Sequence, residues 1–265
     1  MGKSIGIISL KGGVGKTSVV VGLGAALAQF GKKVLLVDGN FSSPNIGLHL
    51  KMLDPEVTIH DVLSRNSNFQ DSIHVYEDLF HFIPANLFNE KEINPLNLRN
   101  RLKDVKREYD IILIDSSPAL NDETLAAMLA SDELFAVTTP DYTTLATTIK
   151  AIKEAKSRGT PIKGLVLNKV HNKKFELSTK NIEDTAELPI MAVIPYDVNI
   201  LRAQANFIPS VVYNPGSDAS REFKKFAAVL VGKRYTPFTL RDLFRTHSPK
   251  SQDINREIYY KSIFD

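Results

Sequence analysis

The chain has 265 residues, 43% hydrophobic and 24% charged, a composition that can bury a core unaided and excludes a disordered polypeptide. It has no cysteine, which excludes disulfides, thiol catalysis, thiolate-held iron–sulfur clusters and cysteine-based zinc sites. The net charge of +3 is too small to announce a nucleic-acid binder, yet the whole surplus lies beyond Gly232, where seven basic residues face four acidic ones.

In chain order, short apolar runs without period-2 alternation occur at 5–8, 34–37, 80–83, 111–114, 134–137, 165–167 and 191–194. Such runs suit strands buried on both faces. Helical patterns lie between them at 16–30, 93–109, 143–156 and 219–231. Gly31 and Gly232 are placed as left-handed stops, and Ser217 or Asp218 as the last N-cap. The expected fold class is therefore α/β: a doubly wound, mostly parallel sheet with helices on both faces. The polar stretch 169–188 shows no readable period. After Gly232 the alternation stops, giving an expected domain at 1–232 and a basic tail at 233–265. No apolar run reaches the roughly 18 residues of a membrane span, and no signal-peptide pattern opens the chain, so a cytoplasmic or peripheral location is expected.

The most informative segment is Ser9-Leu10-Lys11-Gly12-Gly13-Val14-Gly15-Lys16-Thr17-Ser18, between the first strand and the first helix. Its three glycines let backbone N–H groups turn toward a polyanion, and the helix N-terminus adds partial positive charge. Lys16 can reach the β and γ phosphates of a nucleotide, and the Thr17 hydroxyl can ligate Mg²⁺. Two strands end in carboxylates, Val34-Leu35-Leu36-Val37-Asp38 and Ile111-Ile112-Leu113-Ile114-Asp115, and strand C-termini in open α/β sheets face the ligand crevice.

Lys11-Gly12-Gly13-Val14-Gly15-Lys16-Thr17 resembles the deviant Walker A box of the MinD/ParA family of P-loop ATPases, with Leu10 where a glycine is usual. The resemblance covers about residues 3–232. It is strongest at the phosphate loop, at 110–119 and at 192–232, and leans toward the MinD branch. It implies ATP and Mg²⁺ as ligands, a homodimer in the ATP state, and hydrolysis to ADP and phosphate that an activating protein stimulates. By that resemblance Lys11 reaches the partner's phosphates, Lys16 and residues Gly12 to Ser18 hold the nucleotide, and Thr17, Asp38 and Asp115 serve the metal. Asp38 also orders the attacking water, Asn168 reads adenine, and Pro195, Tyr196 and Asp197 close over base and ribose. Asn40 departs from the pattern, because a second carboxylate is usual there. An amide can orient water but cannot accept its proton, so slow hydrolysis is expected.

In the tail, Leu240, Leu243, Phe244 and His247 fall at helical spacing beside Arg241 and Arg245, which suits a short interfacial helix on an anionic membrane. MinD proteins resemble one another in such an ending, and two copies per dimer would act by avidity. Ile254, Ile258, Tyr259 and Ile263 form a second apolar set, expected to dock or pack. The alternative output is nonspecific DNA held by Arg202, Lys224, Lys225, Lys233 and Arg234 in a ParA-like dimer. A hydrolysis-poor nucleotide-switch scaffold is a third reading.

Overall fold

The computed structural model of the protein describes residues 2–89, 91–237 and 250–264. Its strands are β1 (Lys3–Ile8), β2 (Val34–Gly39), β3 (His74–Tyr76), β4 (Phe80–Ile83), β5 (Ile111–Ser116), β6 (Glu133–Thr138), β7 (Ile162–Val170) and β8 (Ile190–Pro195). They form one sheet in the order β3-β4-β2-β5-β1-β6-β7-β8, with every pair parallel except β3–β4. Each apolar run read from the sequence is a strand. The three-residue β3 was not expected; it alternates too few apolar side chains to give a signal.

The helices are α1 (Lys16–Gln29), α2 (Ile46–His49), α3 (Ile59–Leu63), α4 (Leu98–Val105), α5 (Asp122–Ala130), α6 (Tyr142–Ser157), α7 (Thr179–Ala186), α8 (Val198–Ala205), α9 (Ser210–Tyr213), α10 (Asp218–Leu230) and α11 (Ser251–Phe264). Ser217 caps α10 by accepting from Ser220 N, and Gly31 and Gly232 adopt φ of +80° and +67°. The helix expected over 93–109 is shorter. Asn94 caps a 3₁₀ turn that opens with Pro95, and the α-helical part runs only from Leu98 to Val105. The unassigned stretch 169–188 contains α7, capped by Ser178.

Strands β2, β5 and β6 are buried throughout, because helices cover both faces of the sheet. On one face Val19, Leu23, Phe223 and Phe226 pack against Ile5, Ile7, Leu36, Leu113 and Phe135. The rings of Phe135 and Phe226 meet edge to face at 5.0 Å. On the other face Leu35, Val37, Ile112 and Ile114 lie under α3, α4 and α5, while Leu134, Ala136, Leu165 and Leu167 lie under α6 and α7. Each such side chain contributes about 1.5–3 kcal/mol by leaving water. Helix α1 approaches the sheet closely through Gly24, where a Cβ would stand 2.6 Å from Leu36 Cδ2.

Helix α11 closes the far border of the sheet. Asn255 Nδ2 donates to Ile190 O at 2.8 Å, Arg256 Nη1 donates to Met191 O at 3.0 Å, and Glu222 accepts from Val193 N at 3.0 Å. Arg256 and Glu222 form a buried ion pair at 2.7 Å. Tyr259 donates to the buried Glu133, which also pairs with Lys3 at 2.8 Å. The second apolar set therefore packs through Tyr259, while Ile254 and Ile258 stay exposed. Leu240, Leu243, Phe244 and His247, the expected interfacial helix, lie outside the described residues.

Candidate functional site

The phosphate loop joins β1 to α1 at the C-terminal edge of the sheet, between β5 and β6. No side chain caps α1 and no acidic residue stands in its first turn, so its leading N–H groups are open to an anion. The N-cap Gly15 has φ +91°, and a Cβ there would meet Asn168 Nδ2 at 2.5 Å; only glycine fits. Lys16 is buried, and burial lowers its pKa against the pull of Asp115. Together with Gly12, Asn40, Asn168 and Tyr196, the loop lines a cavity of about 330 Å³.

Thr17 and Asp115, 98 residues apart, meet directly: Thr17 Oγ1 donates to Asp115 Oδ2 at 2.5 Å. The other carboxylate oxygen, Oδ1, is buried without a partner. A carboxylate oxygen left without a partner among the described residues, beside a hydroxyl, suits a hard cation such as Mg²⁺, whose other ligands come from phosphate and water, so these two residues fit that ion. Asp38 is fully buried. It accepts from Asn40 N at 3.2 Å, Asn45 N at 2.8 Å and Ile46 N at 2.9 Å, and so shapes the loop after β2. Burial pushes the pKa of Asp38 up, and the neighbouring Asp115 pushes it further. Burial likewise raises that of Asp115, which the Thr17 hydroxyl and Lys16 partly offset.

Asn40 turns its amide nitrogen onto Ser43 O and leaves Oδ1 buried without a partner. Asn168 is buried at the end of β7 and donates to Val14 O at 2.8 Å, so its amide nitrogen braces the phosphate loop and its carbonyl oxygen stays available. Pro195, Tyr196 and Asp197 line the same cavity, and Tyr196 stacks on His171 at 4.6 Å. Lys11 is exposed; of its groups, only the backbone N–H is engaged among the described residues, donating to Ser9 Oγ at 3.3 Å.

Three groups beside the site were not singled out from the motif. Glu123 on α5 accepts from Ser42 N at 3.0 Å and from its hydroxyl, tying the loop after β2 to α5. His49 donates from Nδ1 to Asn45 O at 2.9 Å, and its Nε2 is buried without a partner. Lys169 reaches Gly13 O at 2.7 Å. No sequence period marks the contacts of Glu123 and Lys169, since each joins segments brought together by the sheet, whereas that of His49 is local to α2.

Among the cations expected to hold DNA, Lys233 donates to Phe30 O at 2.9 Å, Arg234 pairs with Glu257 at 2.9 Å, and Lys225 lies 3.9 Å from Asp253. Three of the five are thus engaged within the molecule.

The profile of the family described as AAA domain matches residues 2–163. The septum site-determining protein MinD of Thermotoga maritima is 31% identical over 243 residues, covering 88% of this chain and 89% of that protein. The sporulation initiation inhibitor protein Soj of Bacillus subtilis is 32% identical over 251 residues, covering 86% and 97%. Among solved structures, the septum site-determining protein MinD of Pyrococcus horikoshii, complexed with Mg-ADP, aligns with a TM-score of 0.83 at 33% identity. That alignment covers 87% of this chain and 96% of the other.

Proposed function

Because the chain belongs to the MinD/ParA family of P-loop ATPases, we propose that it is an ATP-dependent dimerisation switch that hydrolyses ATP to ADP and phosphate and uses the cycle to set position in the cell. The observation that carries this reading is the Thr17–Asp115 contact with its orphaned Oδ1, placed below an uncapped helix N-terminus and beside the buried Lys16.

The loop amides and Lys16 bind the triphosphate, and Thr17 and Asp115 hold Mg²⁺. When bound, the ion neutralises charge on the phosphates and on the leaving oxygen. Asp38 keeps the loop after β2 in place through three backbone N–H groups, so a change there moves Asn40, Asn45 and α2 together. Lys11, exposed and with no side-chain partner among the described residues, supplies a cation to the ligand of a second copy. Asn40 orients the attacking water without taking its proton, which makes turnover slow until a partner protein assists. Asn168 presents its free carbonyl oxygen to the base.

The proposed output is attachment to an anionic membrane surface through the segment containing Leu243 and Phe244. Phosphate release and light scattering, each with ATP and with ADP, test the switch; a monomer in both states without turnover defeats it. Co-sedimentation with anionic liposomes and with duplex DNA tests the output. The informative variants are Leu243→Glu and Phe244→Glu rather than a truncation at Gly232, which would strip Arg256 from the buried Glu222. Lipid binding that survives both substitutions refutes the tail assignment, and salt-sensitive DNA binding without lipid binding favours the partition reading.

A further inference from the structure

The end of β7 sends two consecutive side chains to one target. In a regular strand neighbouring side chains point to opposite faces. Here Leu167 pairs with Val193 and Val170 with Pro195, so three steps along β7 match two along β8. An extra residue of this kind re-aims side chains, and such bulges gather beside functional sites. Lys169 absorbs it with φ +56°, a left-handed conformation that any residue with a Cβ resists.

Both re-aimed groups donate to the phosphate loop. Asn168 Nδ2 reaches Val14 O at 2.8 Å, and Lys169 Nζ reaches Gly13 O at 2.7 Å. The acceptors belong to the peptides that carry Val14 N–H and Gly15 N–H. Gly13 and Gly15 themselves take φ of +76° and +91°. A loop of glycines has much conformational freedom to lose when an anion orders it. Two donors from a rigid strand that hold its carbonyls outward set its N–H groups inward before the ligand arrives, which removes part of that cost. The ammonium adds more than the amide does. Its bond is charge-assisted, it polarises the peptide whose N–H faces the ligand, and it brings a positive charge to the rim of the cavity, which Lys169 itself lines.

We propose that Lys169 is a positioning residue that preorganises the phosphate loop for a polyphosphate, acting through the Gly13 carbonyl. The proposal rests on the nucleotide reading for its ligand and on the geometry of the loop for its mechanism. The test uses the full chain and the variants Lys169→Met, which keeps length and removes charge, and Lys169→Arg, which keeps a donor. The ¹⁵N order parameters of the Val14 and Gly15 amides in the nucleotide-free protein are expected to fall from about 0.85 toward 0.6 in K169M and to return in K169R. The affinities for Mg-ATP and Mg-ADP are expected to fall about tenfold, about 1.4 kcal/mol by the standard conversion, with adenosine binding unchanged. Lys169→Ala provides the same reading should K169M not fold. Unchanged loop order parameters and unchanged nucleotide affinity would overturn the proposal, as would an equal loss for adenosine, which would place Lys169 on the base or ribose. A wild-type protein that binds no ATP while its loop order still responds to K169M would leave the brace standing and defeat the nucleotide reading instead.

Discussion

Replacing Arg256 by alanine removes one partner of a buried ion pair and tests whether α11 is part of the folded body. The guanidinium bonds Glu222 Oε1 at 2.7 Å, Met191 O at 3.0 Å and Asp253 Oδ1 at 2.5 Å, and only 7% of its side chain meets solvent. After Arg256→Ala, Glu222 keeps Val193 N–H as its neighbour and stands otherwise uncompensated in the interior. Stranding a buried charge in this way costs about 3–5 kcal/mol. For a chain of this size each kcal/mol moves the unfolding midpoint by roughly 2–4 °C, so a fall of about 10 °C is expected by circular dichroism. The double substitution Arg256→Met with Glu222→Met removes both charges and should recover part of the loss, the Met191 carbonyl and the Val193 N–H staying without their partners. Nucleotide binding should not change, since Arg256 touches the beginning of β8 while the phosphate loop lies at the opposite ends of the strands. A single-variant cost below about 1 kcal/mol, or a double variant as unstable as the two singles combined, would refute the burial argument.

Lys11→Ala should retain nucleotide binding to a single protomer and lower turnover about a hundredfold or more, because a trans cation acts mainly on developing charge; equal turnover in a phosphate-release assay would exclude that role. Asn40→Asp adds a proton acceptor and should raise turnover about tenfold or more, and an unchanged rate would show that proton removal is not limiting. Burial raises the pKa of both Asp38 and Asp115, so these two groups bind more protons in the folded nucleotide-free chain than in the unfolded one between about pH 4 and 7, and their contribution to stability falls as pH rises through that window. Burial lowers the pKa of His49, His60 and His81, which act in the opposite sense, so the check is a difference: Asp38→Asn should gain stability relative to wild type as pH rises from about 4 to 7, and a constant difference would contradict the shift.

The strands were legible because both faces of the sheet are covered, which leaves continuous apolar runs such as 111–114. The phosphate loop was legible because its chemistry needs a contiguous string of residues. Contacts that arise only after the sheet assembles were not legible. The meeting of Glu123 with Ser42 spans 81 positions, and that of Lys169 with Gly13 spans 156. The bulge behind the second depends on how β7 pairs with β8, which no local pattern encodes. Asn168, expected to read the base, also braces the loop, and Asp38, expected to serve the metal and order water, also holds three backbone N–H groups of the loop after β2. Ile254, Ile258, Tyr259 and Ile263 lacked a clear face because α11 is anchored through polar atoms, those of Asn255, Arg256 and Tyr259, more than through an apolar stripe.

The sealing of β8 also governs how copies of the chain can meet. A bare lateral strand invites another to join it, and repetition of that step grows a fibre without limit. Here the outward main-chain groups of Ile190, Met191 and Val193 are already claimed by Glu183, Asn255, Arg256 and Glu222. Growth of the sheet along that flank is blocked, because a second copy finds no free main-chain row on β8 to extend.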